Sequence, residues 1–263
     1  MKRIAFIGAG KMATALISCI YKNGASSSII ASDKNSKNLA NIKKHLKIKT
    51  TNDNKEAVRN SDIVFICVKP QDIDNVLNEI KGVIKNQLVV SVAAGVRLKH
   101  LESKLKGKRV IRVMPNINCL VGEIAAGFSA GKFATKDNID DVSKILSYGG
   151  ISFQLKEELL DAVTAISGSG PAFFAYLIKA FAEAGVRNGL PKEIAVKLAA
   201  KTALGTGRLL MEKDISPEEL IAMVASKKGT TAAGLEVLKK NKTKNILIKT
   251  INAAVKRSSE LGK

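Results

Sequence analysis

The first seventeen residues of the chain carry a glycine turn between an apolar run and a helix-favouring segment. Residues 2–7 have the character of a short buried strand, and residues 11–17 favour a helix. The turn between them reads Gly-x-Gly-x-x-Ala. Gly8 permits a sharp turn, Gly10 leaves room for a pyrophosphate, and Ala13 allows close packing of helix and strand. This context predicts a dinucleotide site, with a purely structural turn as the alternative.

The first half of the chain alternates apolar runs with helical segments. Further strands are predicted over residues 28–32, 48–51, 62–68, 88–94 and 109–114, and helices between them over 36–46 and 71–80. Strands separated by helices of about ten residues are typical of a doubly wound α/β sheet of the Rossmann type. Ligands of such sheets bind beyond the carboxyl ends of the strands.

After residue 155 the pattern becomes entirely helical. Helices are predicted over residues 157–166, 171–188, 192–212, 217–225, 231–240 and 244–261. Their wide apolar faces predict burial against more than one neighbour, and therefore a homo-oligomer. The sequence thus predicts a dinucleotide-binding domain over residues 1–153 and an all-helical domain over residues 154–263.

Composition limits the other classes of function. The net charge of +20 comes from lysines spread along the chain, while aromatic residues make up only 4% and Trp is absent. This favours a solvated surface over nucleic-acid binding, although the charge keeps a nucleic-acid partner as an alternative. Cys19, Cys67 and Cys119 are isolated, which predicts reduced thiols and a cytoplasmic location. The two histidines lack ligand spacing, so no metal site is predicted, and no apolar run is long enough to span a membrane.

Charged residues after the second predicted strand bear on the choice of coenzyme. Asp33 lies 23 residues after Gly10, where an acidic side chain would bind a ribose hydroxyl of NAD. Lys34 and Lys37 follow and could bind the 2′-phosphate of NADP. We expect NADP(H) to be preferred and NAD(H) to remain possible; an ordinary capped turn is compatible with either.

Four other segments contain small or hydroxyl residues at predicted element ends. Residues 68–70 and 93–95 end strands, and could accommodate a nicotinamide ring if they are more than tight turns. Residues 167–172 and 226–235 place glycines and hydroxyls before helices. Such segments can bind an anion or a carboxylate, although N-capping alone would explain either one.

These segments together identify a family resemblance. In order and spacing, over essentially the whole chain, the sequence resembles pyrroline-5-carboxylate reductases. The segments that carry this resemblance are Gly8–Met12, Val68–Pro70, Ala93–Gly95, Ser167–Ala172 and Gly229–Thr231. The resemblance implies an oxidoreductase of proline biosynthesis that reduces the imine of 1-pyrroline-5-carboxylate to L-proline with NAD(P)H. It also implies that the helical domain binds substrate and forms a dimer, which often assembles further.

The resemblance assigns roles to individual residues. The pyrophosphate loop would comprise Ile7, Gly8, Ala9, Gly10, Lys11 and Met12. The adenosine end would be lined by Asp33 and Asn54, and the nicotinamide side by Cys67, Val68, Lys69, Pro70, Val92, Ala93 and Ala94. The substrate pocket would contain Ser169, Gly229, Thr230 and Thr231, with Glu157 as a weaker candidate.

A protonated imine is already electrophilic, so this reaction needs neither a metal nor a strong general acid. The expected catalytic groups are Ser169 and Thr231, whose hydroxyl would hydrogen-bond the ring nitrogen. The chain departs from the family pattern at Lys227 and Lys228, where a Pro-Gly pair is usual, and this affects loop geometry more than reaction class.

Two other interpretations compete with this one. The chain could be a β-hydroxyacid dehydrogenase-like enzyme, but the pattern typical of that class has a catalytic lysine one helical turn after Gly-Ser-Gly. Here the first lysine after that motif is Lys179. The other interpretation is a non-catalytic protein that binds NADP or nucleic acid, motivated by the positive charge.

Overall fold

A computed structural model describes residues 2–22 and 29–262. Within them the chain divides into two compact units. The first contains the described residues up to Ser169 together with those from Ala254 onward, and the second contains Gly170–Ala253.

The first unit is built around an eight-stranded sheet in the order β3-β2-β1-β4-β5-β6-β7-β8. The pairing of β6 with β7 is antiparallel and the other pairings are parallel. The strands are β1 Ile4–Ile7, β2 Ile29–Ser32, β3 Lys49–Thr51, β4 Ile63–Ile66, β5 Leu88–Ser91, β6 Arg109–Met114, β7 Ile124–Ala130 and β8 Gly150–Gln154.

Among the described residues, seven α-helices lie wholly within this unit: α1 Lys11–Lys22, α2 Ser36–His45, α3 Asn54–Arg59, α4 Ile73–Ile80, α5 Leu98–Lys104, α6 Lys136–Ser147 and α7 Leu160–Val163. Alternate residues of each central strand contribute to two separate apolar cores. Ile4 and Phe6 join the core that contains α1, α2 and α6, whereas Ala5 and Ile7 join the core of α3, α4 and α5. Helices therefore cover both faces of the sheet, which explains why β1 and β4 are apolar throughout.

The second unit is helical. Its helices are α8 Gly170–Arg187, α9 Lys192–Glu212, α10 Pro217–Val224, α11 Thr230–Lys240 and the first part of α12 Thr243–Leu261. Helix α8 packs on α9 where Gly185 lies close to Ala195, because a Cβ added at Gly185 would be 3.2 Å from the Ala195 methyl group. Ser216 begins α10 with a reciprocal capping box to Glu219.

The predicted fold class is confirmed, with a Rossmann-type sheet followed by a helical region. The six predicted strands are present; β6 has the predicted bounds, and the other five are shorter than expected. Ser28 of the second predicted strand lies outside the described residues. Strands β7 and β8 were not predicted. The compact units separate between Ser169 and Gly170, sixteen residues after the predicted boundary, because α7 packs on β7. The division into domains at 153 and 154 stays a prediction.

Candidate active site

The glycine turn after β1 has two glycines in different surroundings. Gly8 has a φ of +90°, and its N–H donates to the Ser32 carbonyl at 2.8 Å. A Cβ at Gly8 would lie 2.9 Å from the Cys67 carbonyl oxygen, so only glycine fits without a shift of the backbone. A Cβ at Gly10 would meet no atom within 4 Å. The space beside Gly10 is therefore open, as the approach of a pyrophosphate requires.

Asp33 holds this turn in place. One oxygen of its carboxylate, Oδ2, accepts hydrogen bonds from the Ala9 N–H at 2.8 Å and from Asn38 Nδ2 at 2.9 Å. The other oxygen, Oδ1, accepts from the Asn35 N–H at 2.8 Å. Both oxygens are thus engaged with the glycine turn and the beginning of α2.

A polar network extends from β2 toward α4. The buried Asn54 accepts from Ser32 Oγ at 2.7 Å and donates to Glu79 Oε2 at 3.1 Å. Lys34 Nζ lies 3.8 Å from the same Glu79 oxygen, and the lysine side chain is largely exposed. The cation at Lys34 is therefore placed beside Asp33 with only a loose ion pair.

These residues surround a cavity of about 430 Å³ at the carboxyl ends of β1, β2 and β4. The cavity brings together nine of the predicted cofactor residues: Ile7, Gly8, Gly10, Asp33, Lys34, Asn54, Cys67, Val68 and Lys69. Seven predicted cofactor residues do not line the cavity. Four of them are sequence neighbours of residues that do, namely Ala9, Lys11, Met12 and Pro70, and the other three are Val92, Ala93 and Ala94 after β5. Sequence reasoning missed Asn38, Gln71, Asp72, Asn75 and Val76. They lie within or just before α2 and α4, helices that the prediction did not connect with the coenzyme.

The three cysteines are thiols with little nucleophilic character. Burial raises the pKa of Cys67 well above its usual value and raises that of Cys119 to about 12. Burial also raises the pKa of Cys19, whose Sγ donates to the Cys119 carbonyl at 3.2 Å. Because the thiolate is the reactive form, none of the three is suited to nucleophilic catalysis at neutral pH. No group of three or more His, Cys, Asp or Glu side chains in the described part of the chain could hold a metal ion.

Glu157 lies next to the loop after β5. Its Oε1 accepts from the Leu98 N–H at 2.7 Å and from Arg112 Nη1 at 3.0 Å. Arg112 is 1% exposed, and its Nη2 has no hydrogen-bond partner among the described residues. The carboxylate of Glu157 is thus the counter-charge of a buried guanidinium.

The same loop is connected to the end of α12. Asp161 accepts from Arg97 Nη2 at 2.8 Å and from Ser258 Oγ at 2.7 Å. Gly95 has a φ of +76°, and a Cβ there would lie 3.0 Å from the Leu261 carbonyl oxygen. The loop that follows Ala93 and Ala94 is therefore fixed from two sides.

The serine-rich loop ends the first unit. Ser167 Oγ donates to the Ala125 carbonyl, and the Ser169 N–H donates to the Thr164 carbonyl at 2.8 Å. A Cβ at Gly168 would lie 2.8 Å from Met114 Cε at the end of β6. Helix α8 starts directly after Ser169, so this loop leads into a helix N-terminus.

The second glycine and hydroxyl segment lies within the helical unit. Thr230 and Thr231 are the first two residues of α11, and Gly229 precedes them at the N-cap. A Cβ at Gly229 would lie 2.2 Å from Ser226 Oγ and 3.2 Å from the Ser226 carbonyl oxygen, so a larger residue there would require the Ser226 side chain to move. Lys228 has a φ of +60°, so a residue with a side chain occupies left-handed backbone at the point where the sequence departs from the family pattern.

Comparison with known proteins agrees with this architecture. Residues 157–261 match the family model for pyrroline-5-carboxylate reductase dimerisation, and residues 3–95 match that for coenzyme F420-dependent NADP oxidoreductases. A pyrroline-5-carboxylate reductase of Methanosarcina acetivorans is 41% identical over 100% of this chain and 98% of its own length. The chain belongs to the pyrroline-5-carboxylate reductase family.

Solved structures of this reductase family have the same fold. The enzyme from Coxiella burnetii is 33% identical with a TM-score of 0.95, over 100% of this chain and 99% of that one. The enzyme from Plasmodium falciparum, solved with NADP bound, is 30% identical with a TM-score of 0.88, over 100% and 98% of the two chains.

The resemblance seen in the sequence is therefore confirmed. The chain is an oxidoreductase of proline biosynthesis, and its helical region is a dimerisation domain. Neither the dehydrogenase-like interpretation nor the non-catalytic one matches these relatives. No helix among residues 2–22 and 29–262 is long and apolar enough to cross a membrane.

Proposed function

We propose that this chain reduces the C=N bond of 1-pyrroline-5-carboxylate with a hydride from NADPH, giving L-proline. The observation that carries the proposal is the open space at Gly10 beside the tightly packed Gly8. This space would admit a pyrophosphate at the start of α1, where helix amides lack partners. When bound, NADPH supplies the hydride.

The charges after β2 favour NADPH, with NADH as a weaker coenzyme. Asp33 already accepts three hydrogen bonds, from Ala9, Asn35 and Asn38. Little acceptor capacity remains for the two ribose hydroxyls of NADH. Lys34 lies next to Asp33 and can leave its loose contact with Glu79 to bind a 2′-phosphate.

Lys34→Glu tests the coenzyme preference. We expect KM for NADPH to rise roughly tenfold and KM for NADH to change less than about twofold, because only NADPH carries the 2′-phosphate. Steady-state oxidation of each coenzyme measures both values. Lys47→Glu, at an exposed lysine outside the cavity, is the control for net charge. Equal losses for the two coenzymes would exclude Lys34 as a phosphate ligand.

In the proposed mechanism two helix starts hold the substrate. Ser169 precedes α8, and Gly229, Thr230 and Thr231 begin α11. Free amides at such positions can bind the substrate carboxylate. The Thr231 hydroxyl hydrogen-bonds the ring nitrogen and orients it. Because the protonated imine is already electrophilic, the chain needs only to hold the imine carbon near the hydride donor and to exclude water.

Glu157 is the weaker candidate for contact with the substrate in this proposal. Its carboxylate is oriented by the Leu98 N–H and by Arg112. Because the charge of Glu157 already balances that of the buried Arg112 guanidinium, its contact with the imine would be a hydrogen bond and not attraction to a free charge. Arg112 acts through Glu157 and is a positioning residue.

Thr231→Ala tests the substrate loop. Loss of the hydroxyl should lower kcat by roughly 10²-fold, because the ring nitrogen loses its partner, and KM for NADPH should stay within about twofold. Thr231→Ser keeps the hydroxyl and should retain most of the activity. The readout is oxidation of NADPH with 1-pyrroline-5-carboxylate. An unchanged rate at saturation removes Thr231 from the mechanism, and failure of the unaltered chain to oxidise either coenzyme rejects the function itself.

A further inference from the structure

A second cavity lies at the amino-terminal ends of the strands, at the opposite end of the sheet from the glycine turn. It measures about 280 Å³ and is surrounded by the beginnings of β1, β4, β5 and β6, which are neighbours in the sheet. We call it the basic cavity. Its charged lining residues are Lys2, Arg3, Arg59, Asp62, Lys85, Arg109 and Asp141. The dinucleotide cavity is at the carboxyl ends of the strands, so the two share no lining residue.

Both carboxylates of the basic cavity are already paired. Asp62 accepts two bonds from the Arg3 guanidinium, with Nη2 to Oδ1 at 2.8 Å and Nε to Oδ2 at 3.3 Å, and this lowers the pKa of Asp62. Asp141 is paired with Lys2 Nζ. Each carboxylate therefore already has one cation as its partner.

Three cations of the basic cavity remain without a carboxylate partner within the described residues. Arg59 ends α3, Lys85 lies between α4 and β5, and Arg109 begins β6. They converge from three different elements, and Arg109 is half-buried. Like charges around a concave surface repel one another and create a positive potential inside it. The arrangement is stabilised when an anion enters.

The lining indicates the chemistry of that anion. Two guanidinium groups and one ammonium group match the oxygen atoms of phosphate groups, which guanidinium binds through paired N–H donors. The volume suits a small anion better than a whole dinucleotide. No aromatic side chain lines the cavity, so it offers no surface on which a nucleic-acid base could stack.

We propose that the basic cavity binds a small anion carrying two or more phosphate groups. Free inorganic pyrophosphate and the diphosphate end of a nucleotide share this chemistry. Arg59, Lys85 and Arg109 are the groups that bind it. This proposal does not depend on the reductase activity, because the cavity shares no residue with the groups placed in the mechanism.

Titration calorimetry with inorganic pyrophosphate tests the proposal. The full-length protein is first saturated with NADP⁺, so that the dinucleotide cavity cannot take up the probe. We expect one pyrophosphate per chain, with binding that weakens as salt concentration rises. ADP titrated in the same way separates the two sources: tighter binding than pyrophosphate would support a nucleotide ligand, and equal binding would support recognition of the diphosphate alone.

Substitutions then locate the site. Arg59→Gln and Arg109→Gln should each weaken pyrophosphate binding roughly tenfold or more, because each removes a charged donor pair. Lys47→Gln removes an exposed charge outside the cavity and should change the affinity less than about twofold. Circular dichroism establishes whether each variant is folded. If Arg109→Gln does not fold, Arg109→Lys replaces it, because lysine keeps the positive charge but lacks the paired N–H donors of arginine.

Several results would overturn the proposal. These are the absence of pyrophosphate binding to the NADP⁺-saturated protein, equal weakening by Lys47→Gln, or unchanged affinity in Arg59→Gln and in the folded variant at position 109. Binding of single-stranded RNA that is tighter than that of pyrophosphate and is lost in Arg59→Gln would instead assign the surface to nucleic acid.

Discussion

Gly8 and Gly10 belong to one turn, but Gly8 is required for packing, whereas Gly10 leaves space for a ligand. An alanine at Gly8 meets two obstacles, a φ of +90° and the Cys67 carbonyl oxygen at 2.9 Å from the added Cβ. Gly8→Ala should therefore lower the free energy of unfolding by about 2 kcal/mol or more. Urea unfolding measures this loss.

Gly10→Ala is the matched comparison, because its Cβ would enter open space. We expect its unfolding free energy to stay within about 0.5 kcal/mol of the unaltered chain. Its affinity for NADPH should fall roughly tenfold, because the methyl group occupies the space needed by the pyrophosphate. Equal losses of stability in the two variants, or unchanged coenzyme affinity in Gly10→Ala, would contradict the division of tasks.

Buried charges were harder to foresee from single residues. Arg112 lies in an apolar run that predicts a strand, and the strand is present, but nothing in the run indicates that the arginine is 1% exposed. Its partner Glu157 is 45 residues away in the chain. Long-range pairs of this kind depend on which elements the fold brings together, and local pattern does not encode that.

At the scale of elements, most of the predicted strands were recoverable because apolar runs were followed by glycine, proline or polar residues. Strand β7 lacks this signal. Its sequence contains Ala125, Ala126, Gly127 and Ala130, which have weak strand preference. The structure explains the glycine, since a Cβ at Gly127 would lie 2.9 Å from a Val163 methyl group. Packing of α7 thus excludes a side chain at one position of β7.

The candidate site was predictable to a similar extent. Parallel strands end at one edge, so strand-end residues such as Gly8, Asp33 and Cys67 were expected to meet, and they line one cavity. Asn38 and Asn75 come from helices that also approach that edge. Their contribution depends on how each helix is rotated, which requires the packed structure.

The loop before α11 shows how an element tolerates a departure from its family pattern. Lys228 occupies left-handed backbone at a φ of +60°, where a side chain is strained. Lys228→Gly should raise the unfolding free energy by about 0.5–1 kcal/mol, because relief of strain exceeds the added freedom of the unfolded chain. Chemical unfolding measures the gain, and Lys227→Gly, one residue earlier, serves as the control. A loss of stability in Lys228→Gly would show that the loop does not adopt this conformation.

At the scale of the whole molecule, the helical unit buries too little apolar surface to stand alone. Helix α9 has 21 residues and only Ala195 is buried, and none of the residues of α10 or α11 is buried. Large side chains such as Tyr176, Phe181 and Met223 are each about 70% exposed. Isolated helices as short as α10 and α11 are marginally stable in water, and most of the stability of helices in proteins comes from packing. Since this region matches a dimerisation domain, a second copy of the chain is the expected source of that packing.

Phe181→Glu tests this dependence. A charge in the centre of an apolar contact is costly, so we expect the dimer Kd to rise by about two orders of magnitude or more, and the helical unit to lose stability with it. Sedimentation equilibrium measures the Kd, and circular dichroism as a function of protein concentration shows whether helicity falls on dissociation. Lys240→Glu changes charge on another exposed helix and should leave the dimer intact. A Phe181→Glu protein that remains dimeric, or one that dissociates into fully helical monomers, would contradict the inference that the partner chain completes this core.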